Sequence, residues 1–238
     1  MKNKTLTLIF WNKINNFINK NIDLKKTKNI LIALSGGPDS MAMLHFFLKS
    51  KYADKIIAAH LNHSIRKEAD SEEEFIKLYC KKNKIKLITE KKDIPLLSKK
   101  NKKSLEDIAR KERYDFLYKT AKKNNCKVIC TAHHLDDNIE TFFLNLIRGI
   151  KLNGLKGIPI VRKHKDIIIF RPMLSVSKRE ILSYLKENKI KFRKDKSNED
   201  VAYTRNWIRK KLIPLLERKQ PQIKKHLLEM IEQINKLL

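Results

Sequence analysis

The feature that most narrows the fold is an alternation along the chain. Five short apolar runs, mostly β-branched, each give way to a longer polar-apolar segment, most of them with helical period. The runs are Asn29–Leu34, Lys55–His60, Ile85–Glu90, Lys127–Thr131 and Ile167–Phe170, the last stopped by Pro172. Helical segments follow at 39–49, 69–82, 104–124 and 136–148. The third opens with Ser104 as N-cap and Asp107 in the capping-box place. Strands read this continuously apolar need cover on both faces, which means a parallel sheet between two helical layers joined by right-handed crossovers. The expected class is therefore α/β, a doubly wound parallel sheet of about five strands. Ligands of such sheets lie beyond the carboxyl ends of the strands. Chemistry should cluster after Leu34, after His60 and after Thr131.

The alternation stops beyond Ser177, where helical period continues over 178–187, 203–218 and 222–238. This predicts a small helical C-terminal extension. Gln220-Pro221 is the expected hinge, because the residue before proline is turned away from helix. The expected division is a catalytic domain at 1–217 and a helical tail at 218–238. The tail carries Ile223, Leu227, Met230, Ile231 and Ile234 on one stripe, which must pack on the body or on a partner. A similar stripe, Leu6, Ile9, Phe10, Ile14, Phe17 and Ile18, predicts an N-terminal helix. No apolar run approaches the roughly 20 residues that cross a bilayer, so a cytoplasmic location without membrane contact is expected. Cys80, Cys126 and Cys130 form no C-x-x-C pair and read as core thiols.

Between the first strand and its helix stands Ser35-Gly36-Gly37-Pro38-Asp39-Ser40. Two glycines remove Cβ atoms where a polyphosphate must approach the backbone, and the next helix's first-turn amides point at the anion. The loop lacks the Gly-Lys-Ser/Thr ending of a Walker A loop. After the fourth strand comes Thr131-Ala132-His133-His134-Leu135-Asp136-Asp137-Asn138-Ile139-Glu140-Thr141. Paired Asp there can serve the helix dipole, a metal or a cation, and a His/Asp zinc site is the sharper rival. Lys plus Arg number 54 against 26 Asp plus Glu, a net +28. Such an excess suits a polyanionic partner, although codon bias toward lysine would also produce it.

These loops, together with His60-Leu61-Asn62-His63-Ser64-Ile65-Arg66, Ala109-Arg110-Lys111-Glu112-Arg113-Tyr114, Asp195–Asp200 and Tyr203–Arg209, resemble the PP-loop ATP pyrophosphatases. Within that superfamily they are similar to the tRNA(Ile)-lysidine synthetases. The resemblance runs from about Ile30 to Pro214. It implies ATP and Mg²⁺ as cofactors, and L-lysine and the CAU-anticodon isoleucine tRNA as substrates. The wobble cytidine C2 oxygen would attack the α-phosphorus, pyrophosphate would leave, and the lysine ε-amine would then displace AMP from C2. By position Ser35, Gly36, Gly37, Pro38, Asp39, Ser40 and His60 would bind ATP, with Asp39 and Asp136 at the metal. Arg113 would approach the α-phosphate and His133 the phosphates. Asp137 and Glu140 would hold the lysine amines, one of them acting as base. Asn62, His63, Arg66, Arg205 and Asn206 would face the tRNA, flanked by Lys191, Arg193, Lys194, Lys196 and Arg209. The resemblance is to a short form without the larger C-terminal domains, and the oligomeric state stays open, a dimer included. Two other readings are a tRNA 2-thiolation enzyme, which the missing C-x-x-C opposes, and a basic RNA-binding remnant, which the acidic cluster opposes.

Overall fold

The computed structural model describes residues 2–193 and 200–238, with side chains from Leu6 onward. Six strands form one sheet: β1 (Asn29–Ala33), β2 (Ile56–Asn62), β3 (Lys86–Lys91), β4 (Cys126–Cys130), β5 (Val161–His164) and β6 (Ile167–Phe170), in the order β3-β2-β1-β4-β6-β5. Five are parallel, as expected, and β5 pairs antiparallel with β6 at the edge. That sixth strand escaped the sequence reading because Val161-Arg162-Lys163-His164 is polar and largely exposed, with no buried face to impose a pattern.

The apolar runs are continuous because both sheet faces are covered. Ile30, Ile32, Ala58, Val128 and Phe170 face one core, shared with α1 (Lys2–Asn21), α2 (Pro38–Lys49), α3 (Ala69–Lys82) and α7 (Lys178–Glu187). Leu31, Ile57, Ala59 and Ile129 face the other, against Phe116, Leu117 and Ala121 of α5 (Leu105–Lys123), which α4 (Ile94–Asn101) precedes. The N-terminal helix is pinned where Phe10 stacks on Tyr184 at 4.1 Å. All three cysteines are buried and free. Burial pushes the thiol pKa up, to about 11 for Cys80 and Cys126 and further for Cys130. No helix among the described residues is long and apolar enough to cross a membrane.

A third core lies beside the sheet. There Ile139, Phe142 and Phe143 of α6 (Leu135–Ile147) meet Ile208, Ile213, and Leu227, Ile231 and Ile234 of α10 (Ile223–Leu237). The stripe of the last helix is thus packed on the body, with Met230 left at its exposed margin. Between them α8 (Thr204–Trp207) runs through a wide π turn at 208–212 into α9 (Ile213–Lys219). Pro214 gives the reason: it has no N–H to donate to the carbonyl one turn back, so the preceding turn loosens.

The order 3-2-1-4 puts a switch point between β1 and β4, where successive crossovers leave in opposite directions and open a crevice. Truncating Leu227 or Ile231 to alanine should cost about 2–5 kcal/mol in chemical denaturation, the range for buried aliphatic side chains. Truncating the exposed Leu237 should cost almost nothing.

Candidate active site

The loop after β1 enters the crevice with Gly36 at φ +79°, and a Cβ there would stand 3.2 Å from Ile76 Cδ1. Only glycine satisfies both conditions without strain. Ser35 and Ser40 brace the turn, their Oγ atoms 3.1 Å apart, while the Ser35 N–H donates to Ser40 Oγ. Among the described residues no side chain caps α2, whose N-cap is Gly37 and whose first residue is Pro38. Its first-turn amides therefore remain available to an anion at the positive end of the helix dipole. The Arg193 N–H donates to the Gly36 carbonyl at 2.9 Å, so the chain preceding Lys194 passes against this loop.

The loop after β4 meets it at His134. This buried imidazole caps α6, accepting from the Asp137 N–H, while Asp137 Oδ2 accepts from the His134 N–H. The same ring lies 3.9 Å from Asp39 Oδ1, 3.7 Å from Asp136 Oδ2 and 3.6 Å from Asp137 Oδ2. Lys178, the first residue of α7, joins the two loops. Its ammonium donates to Asp39 at 2.6 Å and its backbone N–H donates to Asp136 at 2.7 Å. Lys224 of α10 adds an ion pair to Asp136 at 3.2 Å and another to Glu217 at 3.1 Å.

Deeper in α6, the Glu140 side chain is 1% exposed. Its two oxygens accept from Arg205 Nε (2.9 Å), Arg209 Nε (2.6 Å) and Arg209 Nη2 (2.9 Å). Both arginines also reach Asp137 Oδ1, at 3.4 and 3.6 Å. Burial alone would raise the Asp137 pKa, but His134 and Arg205 overrule it and hold the carboxyl low.

On the β4 and β6 side, Arg113 stacks on the Tyr114 ring at 5.5 Å and Arg110 on the same ring at 5.2 Å. Among the described residues Arg113 has no carboxylate partner, and desolvation pulls its pKa down. Arg171, buried at the end of β6, donates to the Pro159 carbonyl at 2.6 Å, while its Nε has no partner among the described residues. Burial, with Arg113 and Arg171 adding repulsion, pushes His133 down to about 3. His63 falls to about 4 through burial and then Arg113.

The structure therefore gathers Ser35 to Ser40, Arg113, His133, Asp136, Asp137, Glu140 and Arg205 at one end of the sheet. Several of the expected residues sit in defined surroundings. Asn62 is buried and its amide donates to Asp70 and Glu73, while its oxygen accepts from the Ser64 N–H. Asn206 is buried too and donates to the Asp200 carbonyl. His60 lies beneath the nucleotide loop, its Nδ1 2.9 Å from the Leu34 carbonyl. The two Glu140 oxygens accept three bonds from Arg205 and Arg209, and His134 and Arg205 hold the Asp137 carboxyl low. Arg66 pairs with Glu72 and lines an open cleft with Ser64, Lys67 and Lys91. Lys194 to Glu199, including Lys196 and the Asp195–Asn198 part of the expected RNA-facing motif, lie outside the described residues.

Sequence reasoning missed Arg171, Lys178 and Lys224, and weighed His134 only beside His133, as a strand end or a metal ligand. A signal existed only for His134, as the residue directly before a helix that opens with Asp136 and Asp137. Lys178 and Lys224 are two cations among 54.

The site's surroundings match known proteins. Residues 6–216 match the family model of the PP-loop domain. The chain is 40% identical over 90% of its length to the tRNA(Ile)-lysidine synthase of Petrotoga mobilis, covering 68% of that protein. It is 39% identical over 85% of its length to the Clostridium tetani enzyme of the same name, covering 43% of it. It spans 33% of the bifunctional protein TilS/HprT of Listeria innocua, at 35% identity. Among solved structures, the U34-tRNA thiolase NcsA of Methanococcus maripaludis with its 4Fe-4S cluster superposes with TM-score 0.74 at 17% identity, over 98% of this chain and 80% of that one. At that identity the likeness is one of fold.

His63 and His133 generate a pH prediction. Unfolded, both rings take up a proton near pH 6.5; folded, they resist until about 4 and 3. The unfolded state thus binds more protons in between, so stability should fall as pH drops below about 6.5, by up to ~1.4 kcal/mol per pH unit per ring. Urea titrations from pH 7 to 4.5 should show a shallower slope in His63→Gln and in His133→Gln than in the parent.

Proposed function

The chain belongs to the PP-loop family and, within it, to the tRNA(Ile)-lysidine synthases, and from that premise we propose that it ligates L-lysine to C2 of the wobble cytidine of the CAU-anticodon isoleucine tRNA, consuming ATP. The product, lysidine, would change codon reading from AUG to AUA. The reading rests above all on one juxtaposition. A glycine-rich, side-chain-uncapped helix N-terminus and a His-His-x-x-Asp loop meet around His134 at the switch point of the sheet.

ATP phosphates would lie over Ser35 to Ser40 against the open amides of α2. Asp39 and Asp136 would hold Mg²⁺. The donor chemistry fits, since two hard carboxylates flank one ring and Mg²⁺ needs only one or two of them beside phosphate oxygens and water. Bound there, the ion would neutralise phosphate charge. Arg113, desolvated and without a carboxylate partner, would meet the charge that develops on the α-phosphate as the cytidine oxygen attacks. His133, held neutral by burial, would offer a ring N–H to the phosphates.

For the second step, the ε-amine must reach C2 with its lone pair free. Asp137, kept ionised by His134 and Arg205, would hold the incoming cation electrostatically. Glu140 would act by fixing Arg205 and Arg209, whose outward N–H groups would orient the amino acid or the nucleotide. Flipping the cytidine out of the anticodon stack would bring it into this crevice. His63 and Arg66 line the approach from β2.

Incubation with ATP, labelled lysine and total tRNA should place label in an isoleucine tRNA and release AMP and pyrophosphate. Arg113→Ala should lower adenylation by about 10²–10³, as expected for losing one preorganised charge contact at a transition state. Label in no tRNA, or near-parental rates in Arg113→Ala at saturating ATP, would refute the reading.

A further inference from the structure

Two lysines outside the recognised motifs stand on the proposed metal-binding carboxylates. Lys178 comes from the first position of α7 and Lys224 from the second residue of α10. Lys178 Nζ lies 2.6 Å from Asp39 and Lys224 Nζ 3.2 Å from Asp136, and both carboxylates flank the His134 ring. Both lysine side chains are about one-third exposed, so their ammonium groups sit at the mouth of the crevice and not in its floor. Together they place two positive charges on two carboxylates, the same compensation a divalent cation would give.

We infer that Lys178 and Lys224 are polyphosphate-binding residues that exchange partners: they neutralise Asp39 and Asp136 when the nucleotide is absent and turn to the ATP phosphates when it arrives with its metal. The inference rests on the proposed use of ATP at this crevice. Three physical points support it. Mg²⁺ approaching two carboxylates already paired with ammonium groups must displace them, since like charges repel at that range. A displaced ammonium at the rim of a crevice that holds a polyphosphate finds another anion within the sweep of its four-carbon stem. The exchange conserves local charge, because the incoming metal replaces the lysines at the carboxylates while the phosphates take up the lysines. By this reading α10 supplies a residue to the active site and is no mere appendage to it.

Glu217 shares Lys224, with the ammonium 3.1 Å from its carboxylate. The carboxylate holds the stem near the site whichever anion the tip selects. Lys225, the next residue, points away and pairs with Glu229 on its own helix at 3.8 Å. It provides an internal control.

The test needs no tRNA and no lysine. Calorimetry would measure binding of ATP with Mg²⁺, and of inorganic pyrophosphate, to the full chain and to Lys178→Ala, Lys224→Ala and Lys225→Ala. Losing a charge-assisted hydrogen bond to phosphate should weaken both ligands about tenfold or more in the first two variants, with Lys225→Ala unchanged. Mn²⁺ alone, followed by its paramagnetic resonance signal, should bind Lys178→Ala several-fold more tightly, because the carboxylates lose their internal counter-charge. Opposite signs for metal and nucleotide are what a merely structural lysine cannot give. Lys178→Arg and Lys224→Arg should restore most of the nucleotide affinity, and thermal melts would show that the variants are folded. Folded alanine variants that bind ATP and pyrophosphate like the parent would overturn the inference while leaving the proposed ligase reading intact. A parent chain that binds no ATP would refute that reading itself.

Discussion

Everything at the working end of this molecule follows from the need to neutralise four carboxylates that the fold crowds together. Asp39 begins one helix, and Asp136, Asp137 and Glu140 occupy the first turns of another, all beside the same switch point. Helix dipoles favour acids at those positions but do not balance four of them in a half-dry crevice. The balancing charges come from far along the chain. Lys178, Arg205, Arg209 and Lys224 sit on α7, α8, the π turn and α10, and each turns its charge to this cluster. The helical segments after Ser177 are thereby a counter-charge layer as much as a packing layer. Their cations meet acids 65 to 139 positions earlier in the chain.

How much of this the sequence carried depends on whether a residue's meaning is local. The parallel strands were legible because burial on two faces writes an apolar run, as in Ile30, Leu31, Ile32 and Ala33 and in Val128, Ile129 and Cys130. The phosphate loop was legible because a tight turn at positive φ demands glycine at position 36. The edge strand at 161–164 was not legible, since an exposed hairpin strand has no face that must be apolar. The burial of Asn62 and Asn206 was not legible either, because a polar residue at an element's end looks the same whether it meets solvent or closes a buried hydrogen-bond network. Lys178 and Lys224 were invisible for a different reason. In a chain with 54 basic residues, only tertiary contact singles out two of them.

The net +28 takes on a finer meaning against this background. Part of the basic content is consumed internally, in the buried Glu140 clamp and on the Asp39 and Asp136 pair. Arg110, Arg113 and Arg171 are a different population, gathered around Tyr114 with no carboxylate partner among the described residues. Of these, Arg113 and Arg171 are desolvated, and burying a guanidinium without a counter-ion is costly.

Lys178 also marks a mechanical joint. Its helix, α7, packs through Ile181, Tyr184 and Leu185 into the main core, the one that also seats α2 and Asp39. Asp136 belongs to α6, whose Ile139, Phe142 and Phe143 pack with Leu227 and Ile231 of α10 in the separate third core. The ammonium of Lys178 holds the first body and its backbone N–H holds the second. Lys224, three residues before Leu227, rides with Asp136 on the second body. A ligand that draws the Lys178 ammonium from Asp39 would remove a contact within the first core and leave the backbone hydrogen bond between the cores in place. Nucleotide binding can then rearrange charges at the crevice without breaking the seam between the two packed units, because the side chain and the main chain of one residue carry the two tasks separately.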